Sequence, residues 1–156
     1  MLSHPQFHKP ACSVTLVRGA PGSGKTTYCR NAAGPCDVII DLDECFLDVC
    51  GIHGHDAPSR FFEAALLVRN AKINALSTKS DGRAYIIVGC PTEKELSWWL
   101  SSLGCDVETM AVSLWEIEQR DISPSRKRLA AKWYYQNMIN EWSPPMVARE
   151  VGLDGY

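Results

Sequence analysis

No stretch of this 156-residue sequence approaches the ~20 consecutive apolar residues of a membrane span, and its opening, Met1 to Lys9, lacks the apolar core of a secretion signal. A cytoplasmic location is the expectation that follows. Basic charge is not in excess: the net charge of −2 provides no overall field to draw in nucleic acid, so such contact has to come from a local patch. The seven cysteines, at positions 12, 29, 36, 45, 50, 90 and 105, are odd in number and scattered. They form no disulfide framework and suit a reducing compartment, as small buried apolar residues. Internal repeats are absent. With 46% apolar and 22% charged residues, long disorder is excluded as well, and the length fits one domain.

What the chain does have is a phosphate-binding loop. Residues Gly19, Ala20, Pro21, Gly22, Ser23, Gly24, Lys25, Thr26 and Thr27 fit G-x-x-x-x-G-K-[ST], after the apolar run Val14 to Val17 and before a segment able to form a helix. A Gly-rich strand-to-helix turn serving structure alone does not account for Lys25 and Thr26 following at once. Gly19, Gly22 and Gly24 let successive backbone N–H groups turn toward phosphate oxygens, and the following helix adds its positive end. Lys25 carries a full charge to the β and γ phosphates, and Thr26 offers a hydroxyl able to ligate Mg²⁺. A nucleoside triphosphate with Mg²⁺ is the predicted ligand, ATP or GTP being left open.

Residues 1–11 carry two prolines and no periodic pattern, which predicts a flexible lead-in to a domain over 12–142, with 143–156 as a C-terminal tail. Val14 to Val17 predict a buried strand, Lys25 to about Ala33 a short helix ended by Gly34-Pro35, and Val38 to Ile40 a second strand. Such apolar runs alternating with helices point to an α/β fold, its mostly parallel sheet carrying helices on both faces. After a loop over Gly51 to Pro58, the spacing of Phe62, Ala65, Leu66, Ile73 and Leu76 predicts a helix over about 60–77, with Arg69 inside the apolar stripe. Ala84 to Val88 make a third strand. Thr92 and Glu95 form a capping box for a helix that buries Leu96, Trp99, Leu100 and Leu103 and stops at Gly104. Val107 to Val112 supply a fourth strand, Ser113 and Glu116 a second capping box, and Pro124 opens a long helix through Trp142.

The loop by itself does not choose among a kinase, a motor ATPase and a GTPase switch. Asp41, Asp43 and Glu44 follow the second strand, Asp43 only 18 positions beyond Lys25, too near for the insertions usual in motor ATPases. Acids there overhang the crevice outside the carboxyl ends of the strands, where a kinase places its general base. The order G-x-P-G-S-G-K-T, an apolar strand ending in Asp, a strand–helix–strand segment from Tyr85 to Val112, and a short helix carrying Arg120 and Arg126 resembles the 5′-kinase domain of bacteriophage-type polynucleotide kinases. Related small kinases, including zeta-toxin-like proteins, share this plan, and the resemblance covers roughly residues 12–142.

That resemblance implies a single-domain P-loop NTPase fold with a small helical lid, use of ATP and Mg²⁺, and a host-cell cytoplasmic setting if the chain is phage-encoded. The γ-phosphoryl group would pass to a polynucleotide 5′-hydroxyl or a nucleoside-like acceptor. Asp43 would take the proton from the acceptor, and Arg120 and Arg126 would lie over the transferring group. Asp41 remains the alternative acid, with Asp43 then a helix cap. The basic run Arg126-Lys127-Arg128 sits at a helix N-terminus, which is electrostatically poor for cations and favours an anionic ligand there.

Two departures bear on the acceptor. Phe46 stands where the family has an arginine on the acceptor's phosphate, and the third strand runs into Gly89-Cys90-Pro91-Thr92 instead of an acid. Phe46, a ring as able to stack on a base as to fill the core, Arg69 as a cation and Asp41 are the remaining candidates for acceptor binding, although an arginine on an apolar helix face also fits a snorkelling structural role. Trp98, Trp115, Trp133, Tyr134 and Tyr135 are read mostly as core or interface aromatics. A small-molecule or modified-base hydroxyl is the rival acceptor. The rival class is an ATP-binding or ATPase accessory protein with no phosphorylated product, while the intact loop argues against a pure interaction module. Cys45, Cys50, His53 and His55 raise a metal site, but C-x4-C-x2-H-x-H matches no usual structural zinc pattern. The two histidines are expected on a loop facing solvent or the substrate pocket.

Overall fold

In the computed structural model, which describes residues 6–139, the first apolar run becomes strand β1 (Ser13–Arg18). With β2 (Val38–Asp41), β3 (Arg83–Val88) and β4 (Asp106–Thr109) it makes a four-stranded sheet in the order β2-β3-β1-β4. All three pairings are parallel. Val17 and Asp41 both lie level with Ile87, in the strand between them. The loop after β1 and the acids after β2 therefore leave the sheet at the same edge, two strand spacings or about 10 Å apart.

Side chains alternate across the sheet as a pleated strand requires. Val17, Tyr85 and Ile87 face Tyr28 and Cys29 of α1 (Lys25–Ala32). Leu16, Ile40, Ile86 and Val88 face the other way, toward Ile73 of α3 (Phe62–Asn74) and toward Trp99 and Leu103 of α4 (Glu93–Leu103). The result is the expected α/β arrangement, an all-parallel sheet with helices on both faces. Short 3-10 turns at Ser59–Phe61 and Ala75–Thr78 flank α3. A smaller apolar cluster, Ala20, Ile117, Ala130 and Trp133, docks α5 (Leu114–Glu118) and α6 (Pro124–Ile139) against the loop end of the sheet. Ser123 caps α6, its hydroxyl accepting the Arg126 N–H at 3.3 Å.

Several details depart from the sequence expectation. Helix α2 (Leu42–Cys50) follows β2 directly, because Leu42, Cys45 and Phe46 fall on one helical face and are buried there. Asp41, not Asp43, caps it: its Oδ1 accepts the Asp43 N–H at 3.1 Å. In α4 the Thr92 hydroxyl accepts the Glu95 N–H at 3.2 Å, as half of the predicted capping box. Yet Glu95 is buried at 2% exposure, while Leu100, expected inside, is 37% exposed. Strand β4 ends at Thr109, short of the predicted Val112.

Phe7 stacks on Trp99 with ring centroids 5.8 Å apart, and the Ala11 N–H donates to Leu76 O at 2.9 Å, so contacts with the body begin before Cys12. The predicted end of the last helix at Trp142 and the tail at 143–156 lie outside the described residues. No helix among the described residues is long and apolar enough to cross a membrane.

Candidate active site

A cleft of about 710 Å³ opens at the carboxyl edge of the sheet, and it brings together Lys25, Thr26, Asp41, Asp43, Arg120 and Arg126. Pro21 to Thr27 line it, while Gly19 and Ala20 are buried behind. Gly22 and Gly24 have φ of 80° and 94°, a left-handed conformation that a side chain disfavours. Gly19 is required for space instead, since a Cβ there would come 2.6 Å from Ser23 Oγ and 2.9 Å from Met110 Cβ. Lys25 Nζ donates to Gly19 O at 2.5 Å and Ala20 O at 3.1 Å. Burial pulls the Lys25 ammonium down to about 8, against the opposing pull of Asp41 and Asp43. Phosphate oxygens beside it would restore its charged form. The Ser23 hydroxyl is buried in the cradle without a partner. Glycines that leave the backbone bare, an orphaned hydroxyl and a desolvated ammonium all fit a polyphosphate, and Thr26 stands next to Lys25 for its Mg²⁺.

Across the cleft, the Asp41 carboxyl is pushed up to about 6, first by burial and then by the charge of Asp43. Asp43, in the first turn of α2, holds His55 Nε2 with its Oδ2 at 2.9 Å, and its Oδ1 is buried without a partner. Over the loop, Arg120 Nη1 donates to Gly22 O. Ile122 Cδ1 lies where a Cβ on Gly22 would meet it at 2.8 Å, so the α5–α6 turn rests directly on the loop. Arg126 lowers the Lys25 pKa by its charge, and its buried Nε has no partner. Both arginines thus stand at the phosphate loop, with guanidinium donors still to be used.

The far end of the cleft differs from expectation. Phe46 is 1% exposed and packs among Leu42, Cys45, Phe62, Ala65 and Leu66. Its ring borders the cleft but packs as a core ring, because helix α2 turns it inward. Arg69 does not snorkel to solvent. It is 5% exposed, with its guanidinium 5.2 Å from the Trp99 ring centre, and Nη2 donates to Asn70 Oδ1 at 3.0 Å. Burial lowers it to about 10, opposed by Glu95. Glu95 is in turn raised to about 7, chiefly by burial, despite hydrogen bonds with Cys90 and Trp99 and the nearby Arg69. Its Oε1 has no partner. Glu95 and Trp98, neither of them expected in the site, line the cleft, as do His53 and His55, whose loop was expected to face solvent or the pocket. Glu95 was masked by the capping-box reading; its signal was an acid on the apolar face of α4, i−4 from Trp99.

The Cys45, Cys50, His53 and His55 group does not assemble. Cys45 is buried in the apolar cluster on the inner side of α2, and Cys50 Sγ turns to Ile52 O at 3.8 Å. Among the described residues, the His, Cys, Asp and Glu side chains close enough to share an ion are Asp43, His53 and His55.

No family model matches the sequence, and no curated protein sequence matches it either. Solved structures do match in fold. A chain from the structure of the Pnkp1/Rnl/Hen1 RNA repair complex superimposes with a TM-score of 0.66 at 19% identity, over 92% of this chain and 50% of its own length. A chain from a structure of the Pnkp1/Rnl/Hen1 complex gives a TM-score of 0.56 at 19% identity, over 78% of this chain and 42% of the other. This chain spans half the length of the first of those chains or less, and what is shared at such identity is the fold.

Proposed function

We propose that this chain is a kinase that transfers the γ-phosphoryl group of ATP to a hydroxyl, with a polynucleotide 5′-hydroxyl or a nucleoside-like alcohol as the leading acceptor. The observation that carries the reading is the single cleft in which a glycine-cradled lysine faces a carboxylate two strands away, beneath two arginines. A carboxylate at that place, beside an open end of the cleft, suits the general base that an acceptor hydroxyl requires. The fold shared with a chain of an RNA repair complex supports a nucleic-acid acceptor, alongside the sequence resemblance to polynucleotide 5′-kinase domains.

In this reading the loop amides from Gly22 to Thr26 and the Lys25 ammonium hold the β and γ phosphates. Mg²⁺, held through the Thr26 hydroxyl and the phosphates, would neutralise charge on the transferring group. Asp43 Oδ2 accepts the proton of the attacking hydroxyl; the acceptor O–P bond forms as the bond to the β-bridging oxygen breaks, and ADP leaves. His55, 2.9 Å from that carboxylate oxygen, keeps it oriented toward the cleft. Arg120 and Arg126 balance the charge that develops on the phosphoryl oxygens. Arg69, Glu95 and Trp98 form the acceptor end, offering a donor, an acceptor and an aromatic surface.

A second reading, a small-molecule or modified-base alcohol as acceptor, is favoured by the closure of that end: Arg69, Glu95 and Trp99 are each 5% exposed or less. Incubation with γ-labelled ATP and a panel of 5′-hydroxyl DNA, RNA, nucleosides, nucleotides and small alcohols separates these outcomes. Label in a 5′-hydroxyl polynucleotide or nucleoside supports the first reading, and label in small alcohols alone the second. Label in free phosphate alone makes the chain an ATPase, and no turnover refutes catalysis.

A further inference from the structure

Glycine 54 is buried between two histidines, and its backbone lies flat against Asp43. Its N–H donates to Asp43 O at 3.1 Å, and a Cβ at that position would come within 2.8 Å of Asp43 Cα and 2.9 Å of Asp43 Cγ. The lack of a side chain therefore lets the His53-Gly54-His55 loop close on the first turn of α2. Closure brings both imidazoles to that turn. His55 Nε2 is 2.9 Å from Asp43 Oδ2, and the two rings stand edge to face with centroids 4.5 Å apart. One ligand atom from each of Asp43, His53 and His55 falls within 4.8 Å of the others. Glu44 Oε1 lies 3.9 Å from His53 Nε2, at the margin of the same group.

The second observation comes from the carboxylate itself. Asp43 Oδ1 is buried and without a hydrogen-bond partner, a costly state for a carboxylate oxygen that an ion relieves. The imidazoles, 35% and 39% exposed, retain room to rotate the ångström or so that contraction onto bonds of about 2.0–2.2 Å requires.

We propose that Asp43, His53 and His55 form a binding site for a late first-row divalent cation, with Zn²⁺ or Co²⁺ as the fitting ions. Two imidazoles and one carboxylate match the preference of these metals. They match Mg²⁺ poorly, since it takes oxygen ligands and retains its waters. The cleft thus separates two kinds of ion by ligand chemistry alone: oxygen donors at Thr26, mixed nitrogen and oxygen donors at Asp43. A cation held by the Asp43 carboxylate neutralises the group assigned above to take the acceptor's proton, so it inhibits transfer. That last consequence rests on the kinase reading; the site itself does not.

Cobalt titration of the full chain in excess Mg²⁺ tests the site without any turnover. The expected result is one equivalent bound, with visible d–d bands and no thiolate charge-transfer band, which discriminates against the seven cysteines. Binding weakens in H53A/H55A by at least the ~10–100-fold that loss of an outer-shell partner already costs. Thermal unfolding serves as a parallel measurement: Zn²⁺ raises the melting temperature of the wild type but not of H53A/H55A, as linkage requires. Absence of cobalt binding, a thiolate band, or binding unchanged in H53A/H55A overturns the proposal. Failure of phosphoryl transfer in a protein that still binds cobalt at the histidines overturns the kinase reading alone.

Discussion

Replacing Gly54 by alanine puts a single methyl group into the closest contact in the cleft. The added carbon would stand 2.1 Å from Asp43 Oδ1 and 2.8 Å from Asp43 Cα, whereas ordinary contact begins at 3.4 Å, so the carboxylate has to swing aside and the loop has to withdraw from the helix backbone by about half an ångström, an overpacking that costs roughly 1–3 kcal/mol. The hydrogen bond from Gly54 N–H to Asp43 O weakens with it, and the His55 contact that orients the carboxylate moves too. Since a misplacement of about 1 Å costs on the order of 10²-fold in rate, half of that predicts a loss of about 10-fold in kcat. Gly51, three residues earlier, is the control. Its φ of 75° is left-handed, with nothing within 4 Å of an added Cβ, so Gly51→Ala loses roughly 1–2 kcal/mol of stability without touching Asp43. Urea unfolding and single-turnover transfer from γ-labelled ATP give both quantities for each variant. Wild-type stability and rate in Gly54→Ala, or an equal rate loss in both variants, refutes the packing argument.

Asp43→Asn is expected to reduce transfer by ~10²–10⁴-fold with little change in melting temperature, as loss of a general base. Asp41→Asn, which disturbs the cap of α2, is expected to act mainly on stability; the opposite pattern in paired kinetic and thermal assays makes Asp41 the base. Arg126→Ala is expected to lower kcat by ~10³-fold while unfolding stays unchanged, and a kcat within a few-fold of wild type removes it from the phosphoryl site. Glu95 carries a folded pKa of about 7 against 4.5 when exposed, so the folded chain holds a proton that the unfolded chain releases. Its contribution makes stability fall as pH rises between those values, at up to about 1.4 kcal/mol per pH unit. Glu95→Gln flattens that part of the profile in urea titrations, leaving the Asp41 contribution between 3.8 and about 6; parallel profiles sink the assignment.

The strands were readable because a parallel sheet covered on both faces demands unbroken apolar runs, as at Val14 and Ile86. The loop was readable because few other purposes place Lys25 and Thr26 after that glycine pattern. Helix α2 was not read, since Asp41, Asp43 and Glu44 drew attention as chemistry and hid the spacing of Leu42, Cys45 and Phe46. Glu95 and Arg69 were legible only in part, because their shared burial depends on α3 and α4 meeting across β3, which no local pattern encodes. Gly54 depended on a contact with backbone eleven residues away in sequence.

The turn after β3 has a bearing on movement. Cys90 there is a buried non-glycine residue with φ of 52°, a strained conformation that persists only where its surroundings impose it. They do so by donating to the turn's carbonyls from two directions: Arg18 Nε donates to Cys90 O at 3.0 Å, Trp133 Nε1 to Gly89 O at 2.7 Å, and Asn137 Nδ2 to Pro91 O at 2.5 Å. The carboxyl half of α6 is bolted to the sheet by these bonds. A swing of the whole helix would tear them, so Arg126 keeps its place on α6, any movement over the loop is confined to the short joint from Gln119 to Ser123 that carries Arg120, and stiffening that joint is expected to act on Arg120 without loosening the anchor.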